Sequence, residues 1–120
     1  FTRKDVCMTV LILAVIIALV MIGLSVRANS RFRDESRLPM QWSLSGSVNW
    51  TAPRLVALSF TPALTMAILA FFVMGSMTMQ PRPGQEGAVV PALLGMGVCF
   101  IAAHVFHLWM ISKTLRRTEG

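Results

Sequence analysis

Three long apolar stretches, separated by one polar segment and one short turn, take up most of this chain. The first runs from Val6 to Val26, carries no charge, and has Thr9 and Ser25 as its only hydroxyls. At 1.5 Å per residue it spans roughly 30 Å, the thickness of a bilayer's hydrocarbon core. The second runs from about Leu55 to Met79 and the third from about Ala88 to Ile111. Backbone amides in lipid must pair within their own segment, so these stretches read as helices, and three strands could not close a barrel. The expected fold is all-α: one membrane domain of three transmembrane helices at about 6–26, 55–79 and 88–111. A polar loop at 27–54, lying on the membrane interface, and a short turn at 80–87 join them.

A soluble alternative would bury the same helices in a compact core. A chain of 120 residues with 55% hydrophobic content has too little polar sequence to cover them. The uninterrupted Val6–Val26 run also exceeds the apolar part of a cleaved signal peptide and is expected to remain as an anchor.

Charge separates the two sides of the bilayer. Eleven Lys and Arg stand against five Asp and Glu, for a formal charge of +6. The basic residues cluster at helix ends, which points to anionic phospholipid headgroups and not to nucleic acid. With three spans, Arg3, Lys4 and Arg82 share one side. Arg27, Arg31, Arg33, Arg37, Arg54, Lys113, Arg116 and Arg117 share the other, as candidate contacts to lipid or a partner. That eight-to-three imbalance places the 27–54 segment and the tail in the cytoplasm and the N-terminus outside.

Within the 27–54 segment, Arg31 and Glu35 have the spacing of a helical pair, so the first helix is expected to continue past the bilayer and to end before Pro39. Gly46 suits a turn, and Trp42 and Trp50 suit the headgroup level. Thr51 is the expected cap of the second helix, with Pro53 in its first turn. Pro62 falls inside the second span, where it removes a backbone bond and favours a bend. Thr61 and Thr65 are the expected partners of the freed carbonyl. The short 80–87 turn, stiffened by Pro81 and Pro83, should make the second and third helices antiparallel neighbours. Gly95 and Gly97 remove bulk from the third and allow close approach of another helix, a lipid or a pigment. Cys7 and Cys99 should differ too much in depth to form a disulfide.

The chemistry-bearing residues are few. His104 and His107 lie three apart on the third helix, on broadly one face. Two imidazoles fall short of a closed zinc site, and no Asp or Glu lies at their depth, so no metal site is expected. One of them could serve as an axial ligand to a haem or chlorophyll-type pigment, but the plainer use is hydrogen bonding at an interface, with Trp109 and the basic tail just beyond. No cofactor is required. There is no phosphate-binding glycine loop, intramembrane acid or nucleophile–base pair, and the serines at 43, 45 and 47 read as turn residues. The chain therefore reads as a non-enzyme.

Leu38, Pro39, Trp42, the run from Gly46 to Trp50, and Arg54, followed by Phe60 and Pro62, resemble the small membrane domain of SdpI-like immunity proteins and related uncharacterised bacterial membrane proteins. The resemblance covers about residues 10–65. Gln41 stands where that family often has His, and Ser43 where it often has Asn. The resemblance implies a bacterial inner-membrane protein concerned with resistance to envelope-active peptides or with signalling, and a segment between the first two helices that faces outside, opposite to the arginine distribution. Two functions follow as expectations. One is an accessory or structural subunit packed against a larger bacterial inner-membrane complex, with Trp42, Gly46, Trp50, Pro62, Gly95, Gly97 and Trp109 as interface candidates. The other is an immunity or envelope-sensing protein against a peptide toxin.

Overall fold

A computed structural model describes residues 3–78 and 86–119. Its order is α1 (Arg3–Arg31), β1 (Arg37–Trp42), β2 (Val48–Pro53), α2 (Arg54–Thr78), a 3-10 turn (Glu86–Ala88) and α3 (Val89–Glu119). All three α-helices are long and apolar enough to cross a membrane, and only 22%, 28% and 17% of their most apolar windows are buried within the protein. Exposed Leu19, Val26, Phe71 and Val98 are typical of the remaining surface. These are the features of a multi-pass membrane protein. Most of the 80–87 turn, including Pro81, Arg82, Pro83 and Gly84, lies outside the described residues.

The fold departs from the all-α expectation in the 27–54 segment. The chain there folds into an antiparallel hairpin, with Leu38 opposite Ala52, Pro39 opposite Thr51 and Gln41 opposite Trp50. Met40 on one strand and Asn49 on the other are extra residues in this register, so two bulges of opposite sense cancel. Both strands are edges, which lets Pro39 sit in a ladder without wasting a bond. At the tip the Gly46 amide donates to the Ser43 carbonyl over 3.0 Å, and the Gly46 φ of 91° is the left-handed conformation glycine tolerates best. The serines at 43, 45 and 47 join their hydroxyls to one another at 2.7 to 3.3 Å.

The hairpin also moves the helix boundaries. α1 stops at Arg31, so Arg31 and Glu35 are not a helical pair, and Thr51 and Pro53 belong to β2 and not to the cap and first turn of α2. Arg54 fixes the turn that follows. Its guanidinium donates to the carbonyls of Phe32, Arg33 and Glu35, just past the end of α1, and to the Asn29 side chain in its last turn. The first residue of α2 thus holds the chain where it leaves α1.

Helix packing differs from the expected sequential arrangement too. α1 is the central helix, with α2 and α3 each packed on it and meeting one another far less. Gly97 explains the α1–α3 approach: a Cβ there would run into the Ile17 side chain. Two apolar clusters result. One, toward the start of α1, contains Val10, Ala14, Ile17, Met21, Leu69 and Leu93. The other, at the hairpin end, joins Ala28, Phe32, Leu38, Ala52, Leu58 and Ile111, with Met40 and Trp42 of β1 packed against it. Cys7 and Cys99 are free thiols.

Candidate functional site: a polar seam and its anchored hairpin

Each of the three helices changes from one apolar cluster to the other through a polar position: Ser25 on α1, Pro62 and Thr65 on α2, and His104 on α3. Pro62 has no amide to give the Leu58 carbonyl four residues back, although α2 runs unbroken through it. The Ser25 hydroxyl donates to that carbonyl over 2.7 Å. Ser25 Oγ also lies 2.8 Å from His104 Nε2. A hydroxyl has one proton and a carbonyl can only accept, so His104 Nε2 must be the donor. The ring is thereby fixed as the Nε2–H tautomer, its Nδ1 lone pair buried without a partner among the described residues. One serine thus ties all three helices together in a region where water cannot substitute.

Thr61 and Thr65 do not fill the role expected of them. Thr65 is fully buried, yet its Oγ1 has no hydrogen-bond partner among the described residues. The sequence identifies which carbonyl Pro62 frees. It does not tell which helix supplies the hydroxyl, since that depends on α1 lying between the other two.

His107 serves a different end of the molecule. It lies against the backbone of Pro39, and its ring stands edge-on to Trp42 with centroids 5.7 Å apart. Trp42 Nε1 donates to Thr114 Oγ1 over 2.8 Å, so β1 is pinned to α3 through both the ring and the indole N–H of that tryptophan. Gly46 at the hairpin tip faces the Arg117 guanidinium. Trp50 is half exposed and donates to the opposing Gln41 side chain over 2.8 Å. Arg37 bridges the strands through the Thr51 hydroxyl and carbonyl, while Arg33 is exposed. The interface tryptophans are therefore unlike: Trp42 fastens the hairpin to the bundle and Trp50 remains on its surface.

The two glycines divide in the same way. Gly97 is consumed by the contact with Ile17, whereas Gly95 is exposed and open. Trp109 is half exposed beneath the Lys113 ammonium, 5.0 Å from the ring centroid. Arg31 donates to Ser112 on α3 over 2.9 Å, beside Arg27 and Arg116. Ser25, Asn29, Ser112 and Thr114 are the partners that sequence reasoning missed. Each is a short polar residue at a helix position whose use depends entirely on what stands opposite.

Comparison with protein-family models, curated proteins and solved structures finds no match to this chain.

Proposed function

We propose that the protein is a non-catalytic accessory or structural subunit of a larger bacterial inner-membrane assembly, with its hairpin and tail on the cytoplasmic side. The observation that carries this reading is the exposed small-residue surface left after the three helices have packed. On α3, Gly95, Cys99, Ala102 and Ala103 face outward, and on α2, Ala63, Ala67 and Ala70 do the same. Small residues permit close backbone approach in lipid, where van der Waals contact and not water exclusion drives helix association. The Ser25 hydroxyl and His104 Nε2 of the seam are spent on an internal tie between the helices. That suits a rigid scaffold better than a reaction centre.

The test is purification in mild detergent, comparing the wild type with Gly95→Leu. A stoichiometric larger partner that the variant loses, at unchanged helix content, is the expected result. A wild-type protein recovered alone or as a homodimer would refute the reading.

A second reading, immunity to or sensing of an envelope-active peptide, rests on the hairpin. Leu38, Pro39, Trp42 and the run from Gly46 to Trp50, which resemble the SdpI-like domain, lie on it, and Leu44 and Trp50 project from its exposed surface. Trp50→Ala combined with Leu44→Ser should then abolish protection while leaving membrane insertion intact. Full protection by that variant would exclude it.

A further inference from the structure

A groove of about 270 Å³ runs between α1 and α3 at the hairpin end of the bundle. Its inner part is apolar, with Leu24 on one wall and Val105 and Leu108 on the other. Its outer part is cationic, with Arg27 and Arg31 one turn apart on α1 and Arg116 across from them on α3. No Asp or Glu is among the lining residues. Arg31 is oriented by its bond to Ser112, and neither Arg27 nor Arg116 makes a side-chain hydrogen bond to the described residues.

Three guanidinium groups gathered without a carboxylate repel one another, and an anion between them removes that cost. Guanidinium presents paired donors that match phosphate oxygens. The groove has a second property that a free anion would not use. From Leu24 to Arg31 is about 10 Å along the helix, and from Val105 to Arg116 about 16 Å, so the lining passes from hydrocarbon-like to cationic in the same direction on both walls. Trp109 stands at the side of this transition, where an amphipathic ring suits the boundary between acyl chains and headgroups.

We propose that this groove binds one anionic phospholipid, with its phosphate among Arg27, Arg31 and Arg116 and an acyl chain along Leu24, Val105 and Leu108. The site lies further along α3, toward the hairpin end, than its small residues and does not depend on the subunit reading. It distinguishes three arginines from the other basic residues, which meet the membrane surface only through diffuse attraction.

Native mass spectrometry of the full chain released from micelles containing equal phosphatidylglycerol and phosphatidylcholine tests it. One phosphatidylglycerol should be retained with a preference of roughly tenfold over phosphatidylcholine. Arg27→Gln with Arg116→Gln should erase the preference, and Arg33→Gln with Arg117→Gln, an equal loss of charge at the same end, should keep it. Because Arg27 and Arg116 tie no described elements together, each single variant repeats the test if the pair fails to fold. Equal retention of the two lipids by the wild type would overturn the proposal, as would an unchanged preference in the Arg27/Arg116 variants. Displacement of the lipid by inorganic phosphate alone would overturn it too, since the apolar floor would then contribute nothing.

Discussion

The two ends of the bundle are held together by different physics. Toward the start of α1, the cluster of Val10, Ile17, Met21, Leu69 and Leu93 contains no polar tie, and its specificity is a matter of shape, set by Gly97 against Ile17. At the hairpin end the apolar cluster is smaller in reach but is surrounded by directed bonds from Arg54, Arg31 and Trp42. α1 and α3 have 29 and 31 residues, or about 45 Å of helix, so they outrun a hydrocarbon core of about 30 Å. A helix end beyond that core can exchange its bonds with water and must be held by better partners. A helix inside it has no such competitor, and fit alone decides.

Arg54 is where this difference should show most. Replacing it with Ala takes the shared donor from the carbonyls of Phe32, Arg33 and Glu35, just past α1, and frees the start of α2 from Asn29. Hydrogen bonds to a charged group are each worth about 1.5 to 3 kcal/mol, and water can take over part of the loss at this end. The expected net cost is about 3 kcal/mol, read from unfolding in mixed micelles. Arg54→Lys should recover only a fraction, because an ammonium cannot span the same set of acceptors. A loss below about 1 kcal/mol would mean that the turn after α1 holds its shape without Arg54.

At the opposite end the expected effect is steric and somewhat smaller. Gly97→Leu should cost about 2 kcal/mol, the scale of overpacking in a close-packed interior, by forcing α3 away from Ile17. Gly95→Leu meets open space and should leave the isolated bundle's stability unchanged. If the two glycines gave equal losses in the same unfolding assay, the assignment of one to internal packing and the other to an outer face would fail.

Some of this was legible in the sequence and some was not. Three spans follow directly from hydrocarbon-length runs without charge, because the bilayer leaves the backbone no other solution. The turn at Gly46 was legible for the same kind of reason, a local conformation with one favoured residue. The hairpin was not, since Pro39 argues against a strand unless both strands are known to be edges. The alternation of Leu38, Met40 and Trp42 has a meaning only once a bundle end lies beneath it. For the seam, Pro62 announced an unsatisfied carbonyl, and Ser25 was an unexplained hydroxyl in an apolar run. Joining them required knowing that α1, and not α3, is the neighbour of that face of α2.

That pairing yields the finest test, because it isolates one bond between the two ends. Ser25→Ala removes the donor to the Leu58 carbonyl and the acceptor for His104 Nε2, so both are left buried and unpaired. Each such group costs about 1 to 3 kcal/mol in a protein interior, though bonds between membrane helices average nearer 0.6 kcal/mol. Pro62→Ala returns a backbone amide to the same carbonyl, which then has a partner whether or not Ser25 is present. Ser25→Ala should therefore be less costly in the Pro62→Ala background, with a coupling of about 1 kcal/mol in a double-mutant cycle of micelle unfolding. His104→Ala provides the contrast. It deletes the other arm of the seam without touching the carbonyl, so its cost should not depend on residue 62. Additivity of Ser25→Ala with Pro62→Ala would show that the proline and the serine are not partners. The Ser25 hydroxyl would then act through His104 and not through the carbonyl that Pro62 frees.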